Sequence, residues 1–296
     1  MANRARPKIA CEIAAGQVLA GRADESGSSV EYYTARSLAS GVLAPGLAPV
    51  NVLAAEALRE AIAGALSAAG GRARDVIAVL PDAAVRVVLL EFETLPERAE
   101  EAAAIVRFRL KKSVPFDMEH AALSYQAQRA NGAVKVVAAV ADAAVVAEYE
   151  AAFREAGYNP GVVVPSTLAA LGLVEAAAPT MVVKVEPASI TVAIVHRDEL
   201  VLFRTLEKPA GANISGAQLA EDVYPSAVFF QDTHGANVER VLLAGVALLE
   251  QVAPALEAQT GARVEELVTA RHVGSSLSGE AIPRAILAGV AGALVG

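Results

Sequence analysis

One cysteine, no tryptophan and only four histidines leave this chain poorly equipped for metal or redox chemistry. The lone Cys11 excludes a disulfide within the chain and any multi-cysteine metal site. His120, His196, His234 and His272 are scattered, with no i, i+4 pair to hold a zinc ion. Positive charge is short too. The net charge of −8 supplies no field for neutralising phosphates, which speaks against a nucleic-acid partner. Uninterrupted apolar runs are also missing. Residues 37–55 and 156–174 carry no charge, but proline, glycine and asparagine break up both, so they read as loops and short elements. The apolar segment 285–296 is too short to cross a bilayer, and residues 1–8 lack the shape of a cleavable signal. The expected location is the cytoplasm.

What is present is small and apolar. Hydrophobic residues make up 54% of the 296, yet aromatics are 4%, so alanine-rich helices account for the excess. This length suggests two domains with a sizeable core. Strand patterns fall at 8–13, 17–22 and 30–36, separated by the turns Ala14-Ala15-Gly16 and Ser26-Gly27-Ser28-Ser29. Leu53, Leu58, Ile62 and Leu66 then predict a helix over 51–69, with Asn51 as N-cap and Gly70-Gly71 as its stop. A buried strand at 76–80 follows. From residue 180 the order returns: strands at 181–185, 189–196 and 200–206, a helix at 215–232, a strand at 238–243, a helix at 248–259, a strand at 264–267 and a helix at 282–295. Three strands, helix, strand, helix therefore occurs twice.

Between the halves lies a third pattern, 85–158. It has a strand at 85–92, a helix at 97–112, a hairpin of 121–129 and 134–140 around Asn131-Gly132, and a helix at 142–156. A strand at 161–164 and a short helix at 166–174 lead to the second half. The 97–112 helix carries Glu97, Glu100 and Glu101 early, and Arg107, Arg109, Lys111 and Lys112 late, matching its dipole at both ends. Pro115 forbids its continuation. Glu100 and Glu101 point about 100° apart on a helix and make no shared catalytic site. Ser166 reads as an N-cap, and Phe229-Phe230 with Tyr224-Pro225 as packing. Ser275-Ser276 and Ser278-Gly279 read as a flexible loop. No Gly-x-Ser-x-Gly elbow or Walker A stretch occurs.

Several short motifs occur in a fixed order. They are Leu80-Pro81-Asp82, Leu95-Pro96, the run Arg107-Phe108-Arg109-Leu110-Lys111-Lys112-Ser113-Val114-Pro115-Phe116-Asp117, Tyr125-Gln126, Leu243-Ala244-Gly245 and a glycine-rich terminal helix around Gly289. Together they resemble the PilM family of type IV pilus assembly proteins. The cytoplasmic module of GspL and the division protein FtsA are similar at greater distance. The resemblance implies an α/β, actin-like fold of the Hsp70, sugar-kinase and FtsA type, with duplicated βββαβα lobes. It implies a first lobe at 1–165 with an inserted α+β subdomain at 85–158. The second lobe is 166–296, its last helix, 282–295, packing back on the first.

In such a fold two hairpins face the nucleotide phosphates. That chemistry needs an acid, glycines for close backbone approach, and hydroxyls. The family's first hairpin reads Asp-Ile-Gly-Ser-Ser-Ser-Val. Here the matching residues are Glu12-Ile13-Ala14-Ala15-Gly16-Gln17-Val18, with Ala14 at the key glycine. In the second hairpin Lys184 stands at the acid, Glu186 at the glycine, and Pro187 has no N–H to donate; Ser189 and Thr191 remain. Glu186 would repel a triphosphate by about 4 kcal/mol at roughly 4 Å and intermediate dielectric. The adenosine turn is Gly245-Val246, not Gly-Gly.

The expectation is a vestigial cleft with no catalytic residue, no metal and no cofactor, in which Lys184 pairs with Glu12 or Glu186. The resemblance further implies that the short cytoplasmic tail of a PilN-like bitopic membrane protein docks by the inserted subdomain. Phe108, Lys111, Lys112, Pro115 and Phe116 are its candidate contacts. The protein would be a scaffold peripheral to the inner membrane, touching it indirectly, alongside other pilus platform or motor components. Three alternatives stay open: an ATP/Mg-dependent switch using Ser189 and Thr191, an actin-like filament former, and a sugar-kinase-like enzyme, the last disfavoured because acid and glycines do not survive together.

Overall fold

The structure is a computed structural model that describes residues 6–130, 132–208, 214–274 and 282–296. The first lobe opens with β1 (Ile9–Ala14), β2 (Gln17–Ala23) and β3 (Val30–Ser37), followed by α1 (Ala55–Ala69) and β4 (Asp75–Leu80). Next come β5 (Arg86–Phe92), α2 (Ala99–Leu110), β6 (Ala121–Ala130), β7 (Ala133–Asp142) and α3 (Ala143–Glu155). β8 (Asn159–Pro165) and α4 (Ser166–Ala170) lead to β9 (Thr180–Val185), β10 (Ser189–His196) and β11 (Glu199–Glu207). The chain ends with α5 (Gly216–His234), β12 (Arg240–Ala244), α6 (Leu249–Thr260), β13 (Arg263–Glu266) and α7 (Ala288–Val295).

The two five-stranded sheets have the same topology, β3-β2-β1-β4-β8 and β11-β10-β9-β12-β13. In each, three antiparallel strands are extended by two parallel ones. The expected duplication is therefore present. The central strands β1 and β9 are buried on both faces, so they read as nearly continuous apolar runs. Each carries a single charged residue, Glu12 in β1 and Lys184 in β9. A charge at such a position must find a partner.

α1 and α3 cover the outer face of the first sheet, with Leu58, Ile62, Tyr149 and Phe153 fully enclosed. Burying a side chain of that size contributes about 1.5–3 kcal/mol each. α5 and α6 cover the second sheet through Leu219, Val223, Phe230, Val252 and Leu256. Between the sheets runs α7, whose Val290, Ala291 and Leu294 join Leu19 and Val79 of the first lobe to Val182 and Leu242 of the second. The terminal helix thus packs back on the first lobe. Its start is tighter than expected: residues Arg284–Leu287 form a 3-10 turn before α7 begins.

A third sheet, β5-β7-β6, carries α2 on one face. This is the inserted subdomain, but it is narrower than 85–158. α3 belongs to the first lobe's core, where Val145, Tyr149 and Phe153 pack under α1. Asp142 caps α3 by accepting from the Ala144 N–H at 2.8 Å.

One local expectation fails. The helix expected from Asn51 begins at Ala55, and Leu53 is exposed. Asn51 is instead fully buried as the hub of the preceding loop. Its side chain accepts from the Gly46 N–H and the Tyr149 hydroxyl and donates to the Ala48 carbonyl. Glu148 accepts the N–H groups of Asn51 and Val52. Local propensity cannot register those contacts, which come from α3. Other boundaries differ by a residue or two. The Asn131 turn position, residues 1–5 and the 275–279 loop lie outside the described residues.

Candidate functional site

The two lobes meet at a cluster of buried ionic and hydroxyl groups. Lys184 Nζ lies 2.9 Å from Glu12 Oε1 on the first lobe and 2.7 Å from Glu186 Oε1 on the second. All three residues are buried. The ion pair expected from the reversed charges is present, with both acids. Burial opposes the charge on Lys184, but Glu12, Glu186 and Asp82 outweigh it and hold the amine above the usual lysine range.

Ser189 was expected in the cleft, but the parts played by Asp82, Ser166 and Thr167 were not foreseen. Ser166 sits at the first position of α4 but does not cap it; its hydroxyl donates to Glu12 Oε1. Asp82 does the capping from a distant part of the chain. Its Oδ1 accepts the Thr167 N–H at 2.9 Å and its Oδ2 accepts the Thr167 hydroxyl. The Asp82 N–H donates to Glu186 Oε2 at 3.3 Å, and Ser189 donates to the same oxygen at 3.1 Å. Burial first, and Glu186 second, push the Asp82 carboxyl up to about 7, against the pull of Lys184 and the Thr167 hydrogen bonds. The sequence signal for Asp82 was its place directly after an apolar strand and a proline. Ser166 and Thr167 gave none beyond their hydroxyls.

Gly289 of α7 completes the floor. Glu12 Oε2 makes no hydrogen bond among the described residues and rests against this glycine, where a Cβ would come within 2.5 Å. Gly245 is constrained differently. It adopts φ +80°, and a Cβ there would overlap the Val185 carbonyl, so β12 can turn only through glycine. Thr191 does not enter the cluster; its hydroxyl pairs with Thr205 across β10 and β11. Gly16 is exposed at the tip of the first hairpin.

Above the charges the cleft is open. A cavity of about 600 Å³ is bounded by Glu12, Ala14, Lys184, Glu186 and Gly245 together with Gln17, Lys208, Val246 and Gln251. Side chains therefore fill the base of the gap and leave its mouth wide enough for a small molecule.

A second feature lies on the other side of the inserted sheet. Alternate residues of β7 point to opposite faces. Val134, Val136, Ala138 and Val140 pack under α2. Val137, Ala139 and Ala141 line a groove between this sheet and the lobes. One end of the groove is an apolar cavity of about 190 Å³ walled by Leu80, Leu123, Val163 and Val164. It shares Ser124 and Ala139 with a more polar cavity of about 410 Å³, where Lys135 meets Glu199 of the second lobe at 2.5 Å. β6 and β8, the strands beside it, are edge strands.

The five residues expected to contact a partner stand on the α2 side of the sheet. Phe108 is 74% exposed, Lys111, Lys112 and Pro115 are exposed, and Phe116 packs against the α2 core. None of them lines the groove. Arg107 is structural: its guanidinium donates to the carbonyls of Met118 and Ala121. On α5, Phe230 is buried as expected, whereas Tyr224 and Phe229 are exposed.

Two equivalent sheets facing one another across a hairpin-lined cleft, with the terminal helix between them, define an actin-like fold. Among solved structures, the chain is similar to one from a PilM–PilN type IV pilus biogenesis complex, with a TM-score of 0.81, 20% identity, and 98% of both chains covered. It is also similar to a Bacteroides thetaiotaomicron protein of actin-like ATPase fold and unknown function (TM-score 0.55, 9% identity, 96% of this chain and 93% of that one). A third likeness is to the cytoplasmic domain of EpsL, an inner-membrane component of the Vibrio cholerae type II secretion system (TM-score 0.52, 11% identity, 88% and 97%). No family model matches the sequence, and no curated protein matches it significantly. The fold of this chain is thus PilM-like and actin-like.

Proposed function

We propose that this protein is a non-catalytic scaffold of a type IV pilus assembly platform, cytoplasmic and peripheral to the inner membrane. It holds the cytoplasmic tail of a PilN-like bitopic partner. The observation that carries this reading is the end-to-end likeness to a chain of the PilM–PilN complex, with 98% of both chains covered. No helix among the described residues is long and apolar enough to cross a membrane. The groove supports the reading further. It is apolar at one end and polar at the other, and edge strands can add an extended segment through backbone hydrogen bonds. We place the tail in this groove, with the α2 surface of Phe108, Lys111 and Lys112 as the other place it could dock.

The cleft does no chemistry in this account. Lys184 supplies the positive charge between the hairpins, and Glu186 stands where a phosphate would need a glycine N–H. A second reading, an ATP-binding switch, draws support from the cavity of about 600 Å³ above the ion pairs. Calorimetry with a tail peptide tests the scaffold reading, and calorimetry with Mg-ATP tests the switch. A synthetic peptide copying the cytoplasmic tail of a PilN-like bitopic protein is titrated into the full chain. Saturable binding, lost in Ser124→Arg and kept in Phe108→Ala, is expected. The absence of any binding to the unaltered protein defeats the scaffold reading.

A further inference from the structure

We propose that the outer face of α2 on one copy of this chain docks on the outer face of α5 on a second copy, so that copies join head to tail. Single exposed apolar side chains need no explanation. Among the described residues, however, the exposed phenylalanine and tyrosine side chains are Phe108, Tyr224 and Phe229, and all three stand on these two helices. Ile105 and Phe108 begin a stripe on α2 that continues through Arg109 and Lys112, at the i, i+3, i+4, i+7 spacing of one helix face. Glu221, Tyr224, Phe229 and Asp232 form a second stripe on α5, with Pro225 between them.

The two stripes are opposite in charge. Residues 105–112 include no acid, and Gly216–His234 includes no lysine or arginine. Arg109 and Lys112 make no ion pair among the described residues, and neither do Glu221 and Asp232. Pro225 has no N–H to give the Glu221 carbonyl, so α5 offers a backbone acceptor as well. When the faces meet, Phe108 packs among Tyr224 and Phe229, and the cations beside it reach the carboxylates. Copies with a net charge of −8 repel one another in general, and the basic end of α2 offsets this where it meets α5. α2 sits on the insert and α5 on the second lobe. Phe108 is 74% exposed and Phe229 55%, so neither covers the other within one copy. A contact between unlike faces leaves one free stripe at each end and can repeat. A tail held in the groove lies on the opposite face of the inserted sheet and leaves α2 free.

Sedimentation velocity on the full chain tests this, at concentrations up to about 100 µM because a contact between two helix faces belongs with the weak interfaces. The sedimentation coefficient of the parent protein is expected to rise with concentration. Phe108→Ser and Phe229→Ser should each lose the rise. An equal mixture of the two should stop at pairs, since one intact α2 then meets one intact α5. Arg109→Glu with Lys112→Glu should also lose the rise, and adding Glu221→Lys and Asp232→Lys to the same chain should restore it. All the altered side chains are exposed, and circular dichroism checks that each variant folds. A parent that stays monomeric, a rise that survives in either serine variant, a mixture without pairs, or no recovery in the fourfold variant would each overturn the proposal. A monomeric parent that cosediments with phosphatidylglycerol vesicles, and loses this in Phe108→Ser, would overturn it in favour of a lipid surface.

Discussion

Lys184→Met deletes one charge and keeps nearly the whole side-chain length, which makes it the most informative single substitution. In the native protein the ammonium lies 2.9 Å from Glu12 and 2.7 Å from Glu186, and all three side chains are at most 5% exposed. Removing it leaves two buried carboxylates. Ser166 still donates to Glu12, and Ser189 with the Asp82 N–H to Glu186, but no positive charge replaces the lost one. Breaking a buried ion pair from one side costs about 3–5 kcal/mol, and with two acids affected the upper end applies. That is a third or more of the 5–15 kcal/mol that typically holds a domain folded. An exposed pair would lose only about 0–1 kcal/mol. Because the chain has no tryptophan, urea unfolding is best followed by circular dichroism. The triple variant Glu12→Gln, Lys184→Met, Glu186→Gln removes all formal charge and should recover most of the loss. A deficit under about 1 kcal/mol in Lys184→Met, or a triple variant no more stable than the single one, refutes the burial argument.

Other substitutions probe separate parts of the account. Gly289→Ala forces a methyl against Glu12 Oε2 and should cost about 1–3 kcal/mol in the same unfolding experiment. Asn51→Ala strands the Gly46 N–H, the Ala48 carbonyl and the Tyr149 hydroxyl; a loss of about 2–3 kcal/mol and faster proteolysis of the loop before α1 are expected. Asp82 has a raised carboxyl in the folded state, near 7. Its unfolded value is about 3.9, so folding favours the neutral form, and stability falls as pH rises between those values. Urea midpoints between about pH 4.5 and about pH 7 should show that slope in the parent protein and a smaller one in Asp82→Asn.

The repeated order of strands and helices was readable because each lobe obeys local rules. β1 and β9 are nearly continuous apolar strands buried on both faces, and the single charge in each marked the place where the lobes meet. The sign reversal at Lys184 was enough to anticipate its pairing. The roles of Asp82, Ser166 and Thr167 in the cluster were not legible because they depend on contacts across more than eighty residues of chain. Ser166 has the residue type and position of a helix cap, and only the nearness of Glu12 diverts it. Asn51 was misplaced for the same reason, since Glu148 and Tyr149 of α3 decide its conformation. The groove was hidden by alternation in β7. One set of its residues packs under α2, and the other set, equally apolar in sequence, faces the lobes.

The central claim is that the base of the cleft is held by the protein's own ammonium group in place of a nucleotide and its cation. Titrating Mg-ATP into the full chain by calorimetry tests this most directly. The account predicts no saturable heat, with or without the tail peptide. Micromolar affinity that is abolished by filling the outer cavity, as in Ala14→Arg, would contradict it.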